Sequence, residues 1–374
     1  MQVGFIGSVI ESSGSGLGIY ASNLLDQYYK MGKTHEVTPI HFEKHPNMAR
    51  FSNDRIATLK PRIINKVCGT YVAIQASKPD LVHFPVYRVD DFVAIRMPST
   101  IKKILTVHDI TPILPQFPEE NKRQKLWATT IKYAIPAIDY FIADSESTKK
   151  DCITILGIPE EKIQVIPLAA NENITPTSDR GTSNNLLKNT FKKIKQPFIM
   201  ATGTIIPRKN YGELIEAFAD LKKTKSVPHQ LVIVGERTPY CEILQQKVKE
   251  LSLEKDVVFT GYVNILGLNL LYNTASLFAY PSLYEGFGIP PLEAMKCGTP
   301  VVAANTSSIP EVTRDAAELF EINNKKALSD AMYKVISDED YWNELSKKGM
   351  QRTNQFSWAK TAAETWNVYN KVIS

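Results

Sequence analysis

The sequence predicts an α/β protein of two parallel-sheet domains. Three observations carry this: strand-length apolar runs alternating with helical stretches, a polar interruption near the middle, and a second alternating series after it. The first series is Val3 to Gly7, Val37 to Phe42, Leu81 to Pro85, Ile104 to Val107, Tyr140 to Ala143 and Ile163 to Pro167. Such alternation joins neighbouring strands through right-handed crossovers, which makes the sheet parallel. From Asn171 to Gln196 the periodicity gives way to Asn, Thr, Ser, Pro and Lys, which reads as a linker.

The second series is Phe198 to Gly203, Leu231 to Gly235, Val257 to Gly261, Leu277 to Tyr280 and Val301 to Ala304. Three of these runs finish in glycine, as strands do where a sheet edge opens onto a ligand cleft. The expected architecture is therefore two Rossmann-like βαβ domains facing a central cleft, 1–180 and 195–355, followed by a tail, 356–374. The tail carries Trp358, Ala362, Trp366, Tyr369 and Val372 at helical spacing, an apolar stripe that has to be buried.

Composition agrees with a globular chain. At 374 residues, 43% apolar and 22% charged, there is enough material for two full cores. No apolar run is long enough to cross a bilayer and Met1 leads directly into a strand, so a cytoplasmic location is expected. Cys68, Cys152, Cys241 and Cys297 are scattered without metal-ligand spacing, which implies free thiols and no structural zinc. The net charge of +5 is spread along both halves without a basic, aromatic-interleaved block, which argues against nucleic acid as a partner.

The densest chemical signal lies between Tyr280 and Cys297, where Glu285 and Glu293 straddle Gly286-Phe287-Gly288-Ile289 and a helix begun by Pro290 and Pro291. Glycine lets the backbone approach a phosphate closely, and a helix N-terminus presents unpaired N–H donors with partial positive charge. Prolines suit that first turn. A carboxylate repels phosphate, so neither glutamate is the phosphate ligand. Glu293, one turn into the helix, is placed for ribose hydroxyls and Glu285 for hydroxyls of an attached sugar. Arg208 and Lys209, in the loop after Phe198 to Gly203, supply a planar fork and a point charge for a diphosphate.

Glu285 and Glu293 with Gly-Phe-Gly-Ile-Pro between them resemble the signature of the retaining glycosyltransferases of family four. The resemblance continues through Cys297-Gly298-Thr299-Pro300-Val301-Val302-Ala303 and Ser308-Ile309-Pro310-Glu311-Val312. His108-Asp109-Ile110-Thr111-Pro112 and Gly157-Ile158-Pro159-Glu160-Glu161-Lys162-Ile163 are similar to the mannosyltransferase-like branch.

The resemblance implies the GT-B fold, with the last helix crossing back to the first domain. It also implies a nucleotide-diphosphate sugar as donor, GDP-mannose or a UDP-sugar, with no further cofactor and no metal. The acceptor it implies is a glycan or a lipid-linked glycan. Arg208 and Lys209 would meet the diphosphate, and Gly16 and Gly18 would let the first-domain loop close over it. Val263 would lie by the base. His108 would hold the sugar, with Asp109 orienting it. Many relatives have arginine where this chain has Ile19, so only a backbone role carries over to that loop.

Asp338-Glu339-Asp340 reads as a surface charge run. The apolar, proline-kinked Pro112 to Pro118 followed by Lys122, Arg123, Lys125 and Trp127 suggests peripheral contact with an anionic membrane face. A glycosidase, a nucleotide-sugar epimerase and a non-catalytic scaffold with the same two lobes remain open as alternatives.

Overall fold

The computed structural model describes residues 1–7, 16–41, 55–56, 62–117 and 122–374. It divides into two compact units. One is Met1–Leu168 with Ser357–Ser374, the other Ala169–Phe356.

The first unit holds a parallel sheet of β1 (Val3–Ile6), β2 (Val37–His41), β3 (Arg55–Ile56), β4 (Leu81–Phe84), β5 (Lys102–Val107), β6 (Tyr140–Ala143) and β7 (Ile163–Val165). Their spatial order is β3-β2-β1-β4-β5-β6-β7. The inner strands β1, β4 and β6 are buried on both faces, which is why they read as continuous apolar runs rather than alternating ones.

The tail forms the helix Trp358–Ile373, capped by the Ser357 side chain accepting from Lys360 N. Its apolar stripe goes into this same unit, with Trp358 at 1% and Tyr369 at 0% exposure. The Tyr369 hydroxyl lies 2.6 Å from His83 Nδ1 and 2.9 Å from the Tyr28 hydroxyl. Thr361 Oγ1 donates to the Pro167 carbonyl at 2.7 Å. Burial drives the His83 imidazole down to about 3, so it stays neutral inside this network.

The second unit repeats the architecture with β8 (Phe198–Thr202), β9 (Gln230–Val234), β10 (Val257–Gly261), β11 (Leu277–Tyr280), β12 (Val301–Ala304) and β13 (Ala317–Phe320). The order is β10-β9-β8-β11-β12-β13, all parallel. Strand order therefore reverses between β8 and β11. The loops leaving their carboxyl ends flank that switch point, where open α/β sheets bind ligands. Gly235 is required there: a Cβ on it would lie 1.9 Å from the Gly203 carbonyl oxygen in the loop after β8.

The expected linker is a correction. The first unit ends at Leu168 rather than 180, and the segment read as linker contains the helix Arg180–Thr190. Asp179 caps it by accepting from Thr182 N at 3.0 Å, and Leu187 is fully buried. Thr175 N and Thr177 N donate to the Asn269 and Asn273 side chains. The polar residues that imitate a linker here are caps and cross-links, and one leucine anchors the helix.

Candidate active site

In the second unit the two switch-point loops are bound to each other. The loop after β8 turns through a 3-10 segment, Pro207–Lys209, ending at Asn210 with φ 55°. Leu283 N donates to the Arg208 carbonyl at 2.9 Å, and the Arg208 guanidinium donates to the Tyr284 carbonyl. Glu285 completes the junction, with one oxygen 2.5 Å from Lys209 Nζ and the other 3.0 Å from Arg208 Nη1. Ser282 Oγ donates to the same carboxylate, and Lys209 Nζ also donates to the Tyr280 hydroxyl at 3.2 Å.

Burial alone would push the Glu285 carboxyl up. Lys209, then Arg208 and Ser282, outweigh it and bring it down to about 2. The sequence reading assigned the two cations to phosphate and Glu285 to sugar hydroxyls. The structure joins all three in one ion triad, with Lys209 and Glu285 buried and Arg208 half-buried.

Beyond Glu285, Gly288 has φ 98° and starts the helix Ile289–Lys296, with proline in its first turn. Of the first three helical positions only Ile289 keeps an N–H, since the other two are Pro290 and Pro291. Two serines support the turn. Ser308 Oγ bonds the carbonyls of Glu285 and Phe287 at 2.9 Å each, and Glu285 N donates to Ser307 Oγ at 2.9 Å. Gly286 is buried with this turn. The Phe287 ring is buried edge-on to Phe356, 5.7 Å between centroids, so it anchors the loop from behind.

Glu293 is 8% exposed, and the Tyr272 hydroxyl donates to it at 2.9 Å. Burial dominates and raises its carboxyl to about 7, with Tyr272, the Asn171 main chain and Lys296 only partly opposing. Val263 is half-buried in the turn after β10, ahead of the Asn264-capped helix Ile265–Thr274.

In the first unit His108 follows β5. Its Nδ1 is 2.6 Å from Asp144 Oδ2 and its Nε2 2.8 Å from the Pro85 carbonyl, and the Tyr20 ring meets it edge-on at 4.6 Å. Burial opposes its charge, but Asp144, the Pro85 carbonyl and Asp109 outweigh that and raise its pKa. The partner oriented against the ring is thus Asp144, not Asp109. Asp109 instead accepts from Thr111 N at 3.0 Å and starts the turn Thr111–Ile113.

Gly16 and Gly18 fall inside the helix Gly16–Lys30 rather than in the loop before it, and residues 8–15 of that loop lie outside the described residues. Asp338 caps the helix Glu339–Thr353 by accepting from Tyr341 N. In the basic patch, Lys122 and Arg123 open the helix Lys122–Ala134, while residues 118–121 lie outside the described residues. Trp127 Nε1 donates to the Tyr87 carbonyl at 3.1 Å.

Sequence reasoning missed Tyr272, Ser282, Ser307 and Asp144. Ser282 lies within the Tyr280 to Cys297 stretch and Ser307 directly precedes the Ser308 motif, but neither carries a role in the sequence reading. Nothing in the local sequence pairs Tyr272 with Glu293 or Asp144 with His108.

Comparison with known proteins bears on the whole chain. A family profile described as "Glycosyl transferases group 1" matches residues 183–352, and one described as "Glycosyltransferase Family 4" matches residues 15–173. The O-antigen chain mannosyltransferase B of Escherichia coli is 30% identical over 269 residues, 72% of this chain and 70% of that protein. The serotype-specific mannosyltransferase WbdA of Escherichia coli is 28% identical over 266 residues, 70% of this chain, and the match spans only 32% of that longer protein. Among solved structures, Anabaena HepE in complex with UDP-glucose superposes with a TM-score of 0.76 at 19% identity, covering 99% of this chain and 100% of that one. That likeness is one of fold, two Rossmann-like parallel sheets of the GT-B class. The chain belongs to the glycosyltransferases of family four.

Proposed function

We propose that the chain transfers a hexose, mannose first among the candidates, from a nucleotide-diphosphate sugar to a hydroxyl of a glycan or glycolipid, with retention and without a metal ion. The observation that carries this reading is the cluster of Arg208, Lys209 and Glu285 at the β8/β11 switch point beside the Gly288 helix start. Two cations that already hold one anion are preorganised for another.

On this reading the diphosphate takes over from Glu285 as counterion to Arg208 and Lys209, and the released carboxylate accepts from hydroxyls of the sugar. Glu293 accepts from the ribose. The glycosidic C–O bond breaks toward an oxocarbenium-like centre, and its electron pair goes to the departing phosphate oxygen. That oxygen takes the proton of the acceptor hydroxyl as the new C–O bond forms on the same face. The cations and the Ile289 N–H stabilise the charge growing on the diphosphate. His108 keeps its role at the sugar, and Gly16, Gly18 and Val263 keep theirs at the phosphates and base, as parts of this proposal.

Mannose is preferred because both Escherichia coli relatives described above are mannosyltransferases by name. The O-antigen name of one of them favours a surface-glycan acceptor. No helix among the described residues is long and apolar enough to cross a membrane. A cytoplasmic protein touching the inner membrane surface is the proposed setting, supported by Lys122, Arg123 and Lys125 on one helix with the exposed Leu126 and Tyr133.

A thermal-shift screen of nucleotides and nucleotide sugars tests the donor, because a ligand bound only by the folded state raises apparent stability. GDP and GDP-mannose should raise the midpoint, and radiolabelled GDP-mannose should then pass label to lipid-linked glycan. If neither guanosine nor uridine diphosphates shift the midpoint at millimolar concentration, the donor assignment falls.

A further inference from the structure

His108 has both ring nitrogens committed. Nε2 is 2.8 Å from the Pro85 carbonyl, and a carbonyl can only accept, so Nε2 carries a hydrogen. Nδ1 is 2.6 Å from Asp144 Oδ2, a distance that demands a proton between them. Asp144 is 2% exposed, and its other oxygen is buried without a hydrogen-bond partner among the described residues, where the carboxylate's hydrogen bonding is directed at His108. Such an uncompensated buried oxygen is costly. Asp144 follows β6 directly, and in the next helix, Glu146–Thr154, Thr148 Oγ1 donates to the His108 carbonyl at 3.3 Å.

Among the described residues, the groups facing the ring from neighbouring elements are Asp144 after β6, Asp109 next in the chain, His83 on β4 and Tyr20 on the first helix. Burial keeps His83 and Tyr20 neutral. The carboxyls left are Asp144 and Asp109: burial raises the Asp144 carboxyl, the His108 ring beside it opposes that rise, and both carboxyls favour a proton on the imidazole.

We propose that Asp144 is a positioning residue for the transfer reaction: it fixes the His108 ring as an imidazolium whose two N–H groups are held by Asp144 and the Pro85 carbonyl, so that His108 contributes a fixed positive charge and never acts as a base. The inference rests on the reading of His108 given above. It also requires the acceptor's proton to leave by another route, which the departing phosphate oxygen supplies. Asp144 touches no substrate; it acts through the ring.

The test uses the intact chain without ligand. ¹⁵N-detected NMR of the His108 ring should show two protonated nitrogens at pH 7. Asp144→Asn should lower the pH at which the ring titrates, while turnover falls about 100-fold, the cost of a misplaced catalytic group. Donor KM should hold. Activity of the variant should recover partly as pH is lowered, because added protons restore the imidazolium, a response that a purely structural role would not produce.

A bare ring nitrogen at pH 7 in the wild type would overturn the proposal, and that spectrum decides the matter even if Asp144→Asn does not fold. An unchanged titration midpoint in the variant would overturn it too. Absence of turnover in the wild type with every nucleotide sugar would strike at the assigned reaction instead, and the spectrum would distinguish the two failures.

Discussion

Glu285 and Glu293 are equally buried, 8% exposed each, and bracket a single turn, yet their carboxyls move in opposite directions, to about 2 and about 7. The difference is the company each keeps. Glu285 has Lys209 and Arg208 within salt-bridge distance, whereas Glu293 has the Tyr272 hydroxyl at 2.9 Å and no comparably close cation among the contacts seen. One carboxylate is a fixed anion and the other is poised near neutrality.

Stability should depend on pH through both groups. The folded protein keeps the Glu293 proton up to about pH 7, while the unfolded chain releases it near 4.5, so this group makes stability fall as pH rises through that window. Glu285 acts oppositely: its contribution, roughly 3 kcal/mol, is complete above pH 4.5 and lost as pH falls toward 2. Asp91, buried and raised to about 7, falls in the same window as Glu293. The difference between wild type and Glu293→Gln melting curves at pH 5 and pH 7.5 therefore isolates Glu293. The variant should lose less on going to the higher pH.

The ion triad makes single deletions unequal. Lys209→Met leaves a buried carboxylate short of a cation, which costs about 3–5 kcal/mol, and Glu285→Gln added to it should recover part of that loss. Chemical denaturation of the two single variants and the double gives the coupling directly. Additive losses would mean the three groups do not act together.

The two glutamates should also separate in function. Glu293→Ala weakens nucleotide retention, whereas Glu285→Ala mainly lowers turnover, by about 100-fold as for other lost transition-state contacts. Nucleotide affinity should rise with pH through about 7 in the wild type and less so in Glu293→Gln, since ribose hydroxyls donate to the ionised carboxylate. Equal loss of binding in both alanine variants would end this division of labour.

Two glycines near the site fail for different reasons. Gly288→Ala meets no atom within 4 Å but forces a side chain into φ 98°, at a cost of about 1–3 kcal/mol that asparagine should partly relieve. Gly235→Ala drives a methyl into the Gly203 carbonyl, so the loop carrying Arg208 must move. Melting temperature falls in both, and in Gly235→Ala nucleotide affinity falls with it. Asparagine offers no relief at 235.

Much of this was legible in the sequence because the strands that build the switch points are buried on both faces. Continuous apolar runs such as Phe198–Thr202 and Leu277–Tyr280 announce themselves, and so do the glycines and prolines that end them. The edge strand Ala317–Phe320 did not, because half-exposed Glu318 and Leu319 interrupt its burial. The helix Arg180–Thr190 escaped for the opposite reason: its caps and amide cross-links are the residues that otherwise mark a loop. The sequence offered Glu285, Glu293, Arg208 and Lys209 as candidates but gave no hint that Glu285 would be clamped by the cations. Pairings over long sequence separation, such as Asp144 with His108, depend on which strands become neighbours, here β5 and β6.

Calorimetric titration of GDP and UDP into the wild type and into an Arg208→Gln/Lys209→Met variant tests the diphosphate assignment most directly. The account predicts saturable binding of at least one nucleotide by the wild type, weakening steeply with added salt and abolished in the folded variant. Binding of equal strength in both proteins would contradict it, and so would a wild type that binds neither.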